Sequence, residues 1–423
     1  MTDYYCDIGE ETYWQGAAGT TTGDPYTGPA GLQNAIRGTG VSGALSPGDT
    51  LYIKGGTGDL SRLVLVDCNG TDVTATGLGW DIGDIVAEAS ASAWNGYIVE
   101  TNDGGFLGAD DMLLIWLDPG FDETDIIPAN GITNATQAQS VTPLADNTTT
   151  PGVCLETDGT NAAPIYFVGV DSSWVEDGSL AILDGALKAY TGFRNSAIRT
   201  YLEFRNIHTR RTVDSAWAAD ANLRYCSLVN CIGSETQKGG IGGGGNHIQY
   251  SHILHCKAYD NAGGYGFGLY GGAAVNCVAY NNSSAGFYQN IGACVNCVSF
   301  ENQTGFQLAT GADLVNCVAD KNSSYGVHTG SPGQSVSACR ITNNGTYGIR
   351  DFGRPMHDPY CFYSGNGANF ETAGIHDDTV RGASTRVTTG VEGYIDNDDA
   401  TPLADRNYGL TNQAAARRQE AAL

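Results

Sequence analysis

Val275-Asn276-Cys277-Val278-Ala279-Tyr280-Asn281-Asn282 is followed at a constant step by Val295-Asn296-Cys297-Val298-Ser299-Phe300-Glu301-Asn302, and again by Val315-Asn316-Cys317-Val318-Ala319-Asp320-Lys321-Asn322. The pattern runs on in both directions. Cysteines stand at Cys231, Cys256, Cys277, Cys297, Cys317, Cys339 and Cys361, in steps of 25, 21, 20, 20, 22 and 22 residues. Five residues after every cysteine but the first comes an asparagine: Asn261, Asn282, Asn302, Asn322, Asn344 and Asn366. A glycine and an apolar residue follow eight to ten residues after five of the cysteines, at Gly266-Phe267, Gly286-Phe287, Gly305-Phe306, Gly326-Val327 and Gly348-Ile349. Three residue classes in phase over six periods mean a solenoid.

The period suits leucine-rich repeats or parallel β-helices, and the leucine signature is missing. The segments are short apolar runs ending in Asn, Gly and Ser, which read as strands bounded by turns, and none has the length or the 3.6-residue period of a helix. Coils of this size close with two or three short strands and stack at roughly 4.8 Å, so equivalent residues form columns. Cysteine suits an inward column. The asparagine column is expected to occupy left-handed turns and to hydrogen-bond from coil to coil, and the Gly-apolar pair to make the next corner and re-enter the core.

These residues resemble the right-handed parallel β-helix of the pectate-lyase-like superfamily. Looser upstream matches are Pro164-Ile165-Tyr166-Phe167-Val168-Gly169 and Tyr201-Leu202-Glu203-Phe204-Arg205-Asn206-Ile207. Gly31-Leu32-Gln33-Asn34-Ala35-Ile36 reads as a short capping helix, and Pro47-Gly48-Asp49-Thr50-Leu51-Tyr52-Ile53-Lys54-Gly55-Gly56 as a first coil. The resemblance implies a fold; the scaffold carries many activities.

Composition sets limits. The chain has 423 residues, 41% of them hydrophobic, ample for a core. Its 59 glycines are roughly twice the usual share, which coil corners explain. A formal net charge of −25, from 46 acidic and 21 basic residues, argues against nucleic-acid and anionic-membrane partners. Seven of the 12 cysteines share one phase of the repeat, so they read as reduced packing residues rather than a disulfide framework. The start, Met1-Thr2-Asp3-Tyr4-Tyr5-Cys6-Asp7, does not read as a signal peptide, and no apolar run predicts a transmembrane helix.

Residues 76–140 leave the coil pattern. Segments 79–86, 90–99, 112–117 and 120–127 read as four or five short strands with tight turns, a small β-domain. They resemble a short β-module of tailed-phage virion proteins. That resemblance implies a decoration, fibre or tailspike-like role, and the absent export signal agrees with it.

Candidate chemistry is sparse. On a β-helix, catalytic carboxylates come from neighbouring coils. Asp260, Glu301 and Asp320 share a near-common phase, three or four residues after a cysteine, with Asn281 between the first two. They are the candidates for a lyase or glycosidase site; a solvated face is the competing reading. Asp110-Asp111 and Arg340-Ile341-Thr342 do not complete a polygalacturonase set. His252, His255 and Cys256 have metal-ligand residue types, but on a strand the two histidines face opposite ways; His255 falls where other coils place Asn. The glycine run 239–245 lacks the Lys-Ser/Thr of a phosphate loop. No cofactor is expected. Asp396, Asp398 and Asp399 alternate like a calcium loop but lack its Gly and Glu, so a structural Ca²⁺ competes there with a solvated turn. Tyr259, Tyr265, Tyr270, Tyr280, Tyr288, Tyr325 and Tyr347 follow turns and suit either sugar stacking or a subunit interface.

The expectation is therefore an all-β chain: a right-handed parallel β-helix solenoid with a small β-domain insertion near the N-terminus and a short C-terminal helix at residues 412–423. Its parts are a cap and first coil (1–75), the β-module (76–140), the β-helix (141–370) and a C-terminal cap and tail helix (371–423). The expected role is a virion structural protein of a phage or phage-like particle. It would be a homo-oligomer, a trimer first, contacting other virion proteins and host-surface glycan. A polysaccharide lyase or glycosidase on the same scaffold is the alternative.

Overall fold

The computed structural model describes residues 1–370 apart from 11–18, 38–44, 74–79, 90–93, 102–110, 145–147, 196, 218–220, 243–247, 331–333 and 351–360. The expected C-terminal cap, tail helix and acidic turn at Asp396, Asp398 and Asp399 lie outside the described residues. The chain divides into two compact units, Met1–Asn222 and Leu223–Leu423. Both are built on parallel β-coils, as the repeat predicts.

In the first unit, Asp3–Asp7 and Ile165–Val170 flank Thr50–Lys54 in parallel, and Leu202–Arg205 pairs with Ile165–Val170. A second ladder stacks Gly56–Asp59, Ala181–Asp184 and Ile207–Arg210. Phe167 and Phe204 stack in the interior with centroids 4.9 Å apart. The helix Gly28–Arg37 is longer than the six residues read from sequence. Pro29 suits its first turn, where a missing N–H costs nothing. Its apolar residues Ala30, Leu32, Ala35 and Ile36 are buried, and Gln33 Oε1 accepts the Cys154 N–H at 2.7 Å.

The insertion is an antiparallel sheet of seven strands. Its strands take in Leu63–Asp67 and Thr148–Thr149, on both sides of 76–140. Leu63-Val64-Leu65-Val66 is apolar on both faces, so alternation could not distinguish it from a coil strand. Val64, Val66, Ile98 and Ile115 join Trp94 in one core, while Leu63, Leu65, Leu114 and Trp116 pack on the other face with Ala30 of the helix. Arg62 is buried there, donating from Nε to Leu117 O at 2.8 Å and lying 4.6 Å over the Trp116 ring.

In the second unit the three-residue strands Lys257–Tyr259, Val278–Tyr280, Val298–Phe300, Val318–Asp320, Arg340–Thr342 and Phe362–Ser364 pair in unbroken parallel register. The cysteines form an inward column, all 12 in the chain are free, and all are buried. Each thiol does more than fill space. Cys317 Sγ donates to Cys294 O at 3.3 Å and accepts the Cys297 N–H at 3.4 Å, and Cys339 Sγ accepts the Cys317 N–H at 3.4 Å.

The asparagines five residues on form a buried ladder. Side-chain Nδ2 donates to the next Oδ1 from Asn261 to Asn282 at 2.7 Å, Asn282 to Asn302 at 2.8 Å, Asn322 to Asn344 at 2.9 Å and Asn344 to Asn366 at 2.9 Å. Thr236, in the coil that lacks the asparagine, ends the ladder by donating from Oγ1 to Asn261 Oδ1 at 2.8 Å. Each amide also reaches backbone, as Asn302 does to Ala279 O at 3.1 Å. Fully satisfied buried amides of this kind specify register as well as stability.

Two expectations about columns change. The ladder asparagines are not in left-handed conformation. That conformation belongs to residues bracketing each short strand, such as Asn276 (φ 55°) and Asn281 (φ 52°). The Gly-apolar pairs re-enter the core, with Phe267, Phe287 and Phe306 buried and stacked at 4.7 and 5.0 Å, but Gly286, Gly305 and Gly326 lie inside strands rather than at corners. They are small because the asparagine ladder occupies the space above them.

Candidate functional site

The corner positions decide where the acidic candidates fall. Asp260, Asn281, Glu301, Lys321 and Asn343 form one column of left-handed residues, with φ between 52° and 56°. Their amides close on the next coil, as Glu301 N does on Asp320 O at 3.3 Å. Asp260 and Glu301 are exposed corner residues, two coils or roughly 10 Å of stacking apart, and the Asn281 amide between them donates to Asp260 Oδ1. Asp320 belongs to a different column: it ends its strand and pairs in register with Phe300 and Thr342. Its Oδ1 accepts from Thr342 Oγ1 at 2.6 Å and from Asn343 Nδ2 at 2.8 Å. The three acids therefore occupy two columns, with the hydrogen bonds of turn and ladder residues. One residue of offset from the cysteine separates Asp320 from the other two, and that offset decides between strand end and corner. His255 is also a left-handed corner, donating its N–H to Val275 O at 3.0 Å.

Outward aromatic side chains fall into rows along the coils. Tyr259, Tyr280 and Phe300 stack at 4.9 and 5.0 Å with interplanar angles of 7° and 6°. Tyr265 stacks on Tyr288 at 4.7 Å, and Tyr325 on Tyr347 at 6.1 Å. In such rows neighbouring rings turn a face to each other, so they brace successive coils. A different pair stands at a corner. Tyr225 and Tyr250 are 50% and 46% exposed, stack at 5.7 Å, and both adopt positive φ (53° and 51°). Tyr250 then meets Tyr270 edge-on, at 87°. These φ values are those of the other coil corners, and what sets the pair apart is the exposure of two stacked rings.

The first unit carries an outer flank that lies outside the repeat. Tyr5 and Tyr52 are register partners on adjacent strands and stack at 5.3 Å. Trp174 crosses Tyr5 edge-on at 5.4 Å and 89°. Lys54 Nζ donates to Asp7 at 2.6 Å and lies 5.6 Å over the Trp174 ring. Arg205 pairs with Glu203 and Glu176 and lies 5.7 Å over Tyr166. The alternation of Thr50-Leu51-Tyr52-Ile53-Lys54 was the available signal: it places Tyr52 and Lys54 outward together.

Other charged groups are clamped. Asp184 is buried and accepts from Arg210 Nε at 2.9 Å, Arg211 Nε at 2.7 Å and Ala186 N at 3.0 Å. Burial opposes its charge, but the Arg211 hydrogen bond and the neighbouring guanidinium groups hold its carboxyl below the usual range. Among the described residues, no group of three or more His, Cys, Asp and Glu is arranged to hold a metal ion. Nor is any helix there long and apolar enough to cross a membrane.

No family model and no curated protein sequence matches the chain. Among solved structures it is similar to pectate lyase Pel9A, at 15% identity and a TM-score of 0.49 over 91% of this chain and 82% of that one. It is also similar to a rhamnogalacturonan lyase, at 14% identity and a TM-score of 0.38 over 82% of each chain. A third is the A-module of the mannuronan C-5 epimerase AlgE6 of Azotobacter vinelandii, at 13% identity and 0.35 over 78% of this chain and 71% of that one. The assignment of parallel β-coils rests on the strand register itself.

Proposed function

We propose that this β-helix is a glycan-binding structural protein. In this reading it is a component of a phage or phage-like particle, a decoration, fibre or tailspike-like protein, working as a homo-oligomer and first of all a trimer. The observation that carries the glycan reading is the exposed, stacked Tyr225 and Tyr250 pair held in left-handed conformation. Rings are amphipathic, rigid contact surfaces that lose little entropy on binding. The hydrogen bonds that tie the Asp260 and Asp320 carboxylates to neighbouring side chains favour binding without cleavage.

The competing reading is a polysaccharide lyase or glycosidase. What favours it is that Asp260 and Glu301 share one exposed column. The deciding experiment incubates the full chain with a broad panel of polysaccharides and scores both retention and chain scission. Retention without scission is the expected result. Scission that disappears in folded Asp260→Ala, Glu301→Ala or Asp320→Ala variants overturns the structural reading in favour of the enzyme. The particle assignment has its own test: a mass-spectrometric inventory of the native source, in which the chain must recur at fixed stoichiometry, in multiples of three, within virus particles.

A further inference from the structure

We infer that Trp174 is the floor of a second sugar subsite, in the first unit, and that its ligand is an uncharged pyranose rather than a uronate. The inference rests on the glycan-binding reading above and names a ligand class and a residue within it.

The backbone is the first observation. Trp174 has φ 66°, a true outlier for a bulky residue. A turn built by Asp171 enforces it. The Asp171 carboxylate accepts the N–H groups of Ser173 and Val175, each at 2.8 Å, and its carbonyl accepts the Trp174 N–H at 3.1 Å. Three hydrogen bonds thus fix the backbone of the turn that carries the indole, and the adjacent Val175 is 55% exposed.

Ring orientation is the second. The coil-long rows use both faces of their inner rings on each other. Trp174 stands across its row instead, perpendicular to Tyr5 rather than stacked on it. Lys54 lies over one face of its ring, and the indole is half-buried. The opposite face is the platform. The negative π face attracts the weakly positive axial C–H groups of a pyranose.

Charge selects the class. Lys54 is neutralised by Asp7, and Arg205 by Glu203 and Glu176. Asp3 lies close enough to Tyr52 to push the phenol pKa up, after burial, which raises it most. Four carboxylates thus surround two cations that are already paired. A uronate would bring a carboxylate into this field with no cation left for it, whereas an uncharged sugar forfeits nothing and can donate its hydroxyls to the carboxylates.

The test titrates the full chain with uncharged gluco-, manno- and galacto-oligosaccharides and with oligogalacturonides, for the wild type and Trp174→Gly. Glycine is at ease at this φ, so the variant should keep its thermal midpoint. It should bind its best uncharged oligosaccharide at least tenfold more weakly. In protein deuterated except at tryptophan, saturation should pass from indole to sugar C–H protons in the wild type and fall in folded Trp174→Gly, which keeps the other five of the 6 tryptophans. Unchanged affinity in folded Trp174→Gly, or no saturation transfer, overturns the platform while the glycan reading stands. Oligogalacturonide binding tenfold tighter than any uncharged sugar overturns the ligand class. Absence of binding to every glycan overturns the broader reading and this inference with it.

Discussion

The side-chain nitrogen of Asn302 lies 2.8 Å from where a β-carbon on Gly286 would stand. The same relation joins Gly266 to Asn282 at 2.9 Å, Gly305 to Asn322 at 2.8 Å and Gly326 to Asn344 at 2.7 Å. The two most regular columns of the repeat are therefore one device: an amide ladder in one coil demands a bare backbone in the coil beside it.

Gly286→Ala should accordingly destabilise the protein by about 1–3 kcal/mol, the cost of overpacking a filled interior. Its new methyl would also meet Ser299 Oγ at 2.2 Å. Gly311→Ala is the control. That glycine has φ 69° and nothing within 4 Å, so only the left-handed penalty of about 1–2 kcal/mol applies. Denaturant melts of both variants check the ranking; a Gly286→Ala protein as stable as wild type would contradict the coupling.

Removing one rung should cost more than removing a terminal residue. Asn302→Ala leaves Asn282 Nδ2 without its Asn302 Oδ1 partner and also frees the Asn282 N–H, which that oxygen accepts at 2.9 Å. A loss of about 2–4 kcal/mol is expected, because buried donors are stranded. Thr236→Val, which removes one capping hydroxyl from Asn261, should cost about 1 kcal/mol. Equal losses in paired chemical melts would argue that the ladder does not act as a chain.

The thiols should be silent in the native state. Burial pushes the Cys317 and Cys339 thiols up, and pushes Cys68 up to about 12, so thiolate is scarce at these three, and burial closes access to all 12. A thiol-reactive chromogen should register almost nothing before denaturation and all 12 cysteines afterwards. A stoichiometric fast phase on the folded protein would show that a cysteine in this column is not the packing residue described.

Acid should find His208. The imidazole is buried, and burial, aided by the neighbouring Arg210, pushes its pKa down to about 4. Its folded value lies below the unfolded one, so protons bind the unfolded chain more readily. Stability is then full above about pH 6.5 and lost as pH falls toward 4, by roughly 3 kcal/mol in all. Melts of wild type and His208→Leu at pH 7 and pH 4 isolate the effect: the variant should lose less than the wild type. Identical pH slopes would place the titration elsewhere.

What could be read from the chain was what repeats. Cysteine at one phase and asparagine five residues on announced the coils, because parallel stacking copies each environment into the next. What escaped was either local or shared between columns. Gly286 looks like any turn glycine until Asn302 is set beside it. Asp320 differs from Glu301 by one position of phase, enough to move it from corner to strand. Leu63-Val64-Leu65-Val66 has apolar side chains for two faces, and only the antiparallel register with Leu113-Leu114-Ile115-Trp116 reveals which sheet it joins. Trp174 belongs to no repeat, and its posture depends on a three-bond turn that Asp171 alone could not announce.

The ladder also quantises the gene. Deleting residues 278–297 joins Cys277 directly to Val298 and leaves cysteine, corner and amide each facing its proper successor, with the solenoid shorter by one step of roughly 4.8 Å. Deleting half as many residues would face an asparagine with a strand and a glycine with a bulky ring. Length in such a protein is thus heritable only in whole turns, and lineages that lengthen or shorten it must do so by duplicating or excising a complete unit at a time.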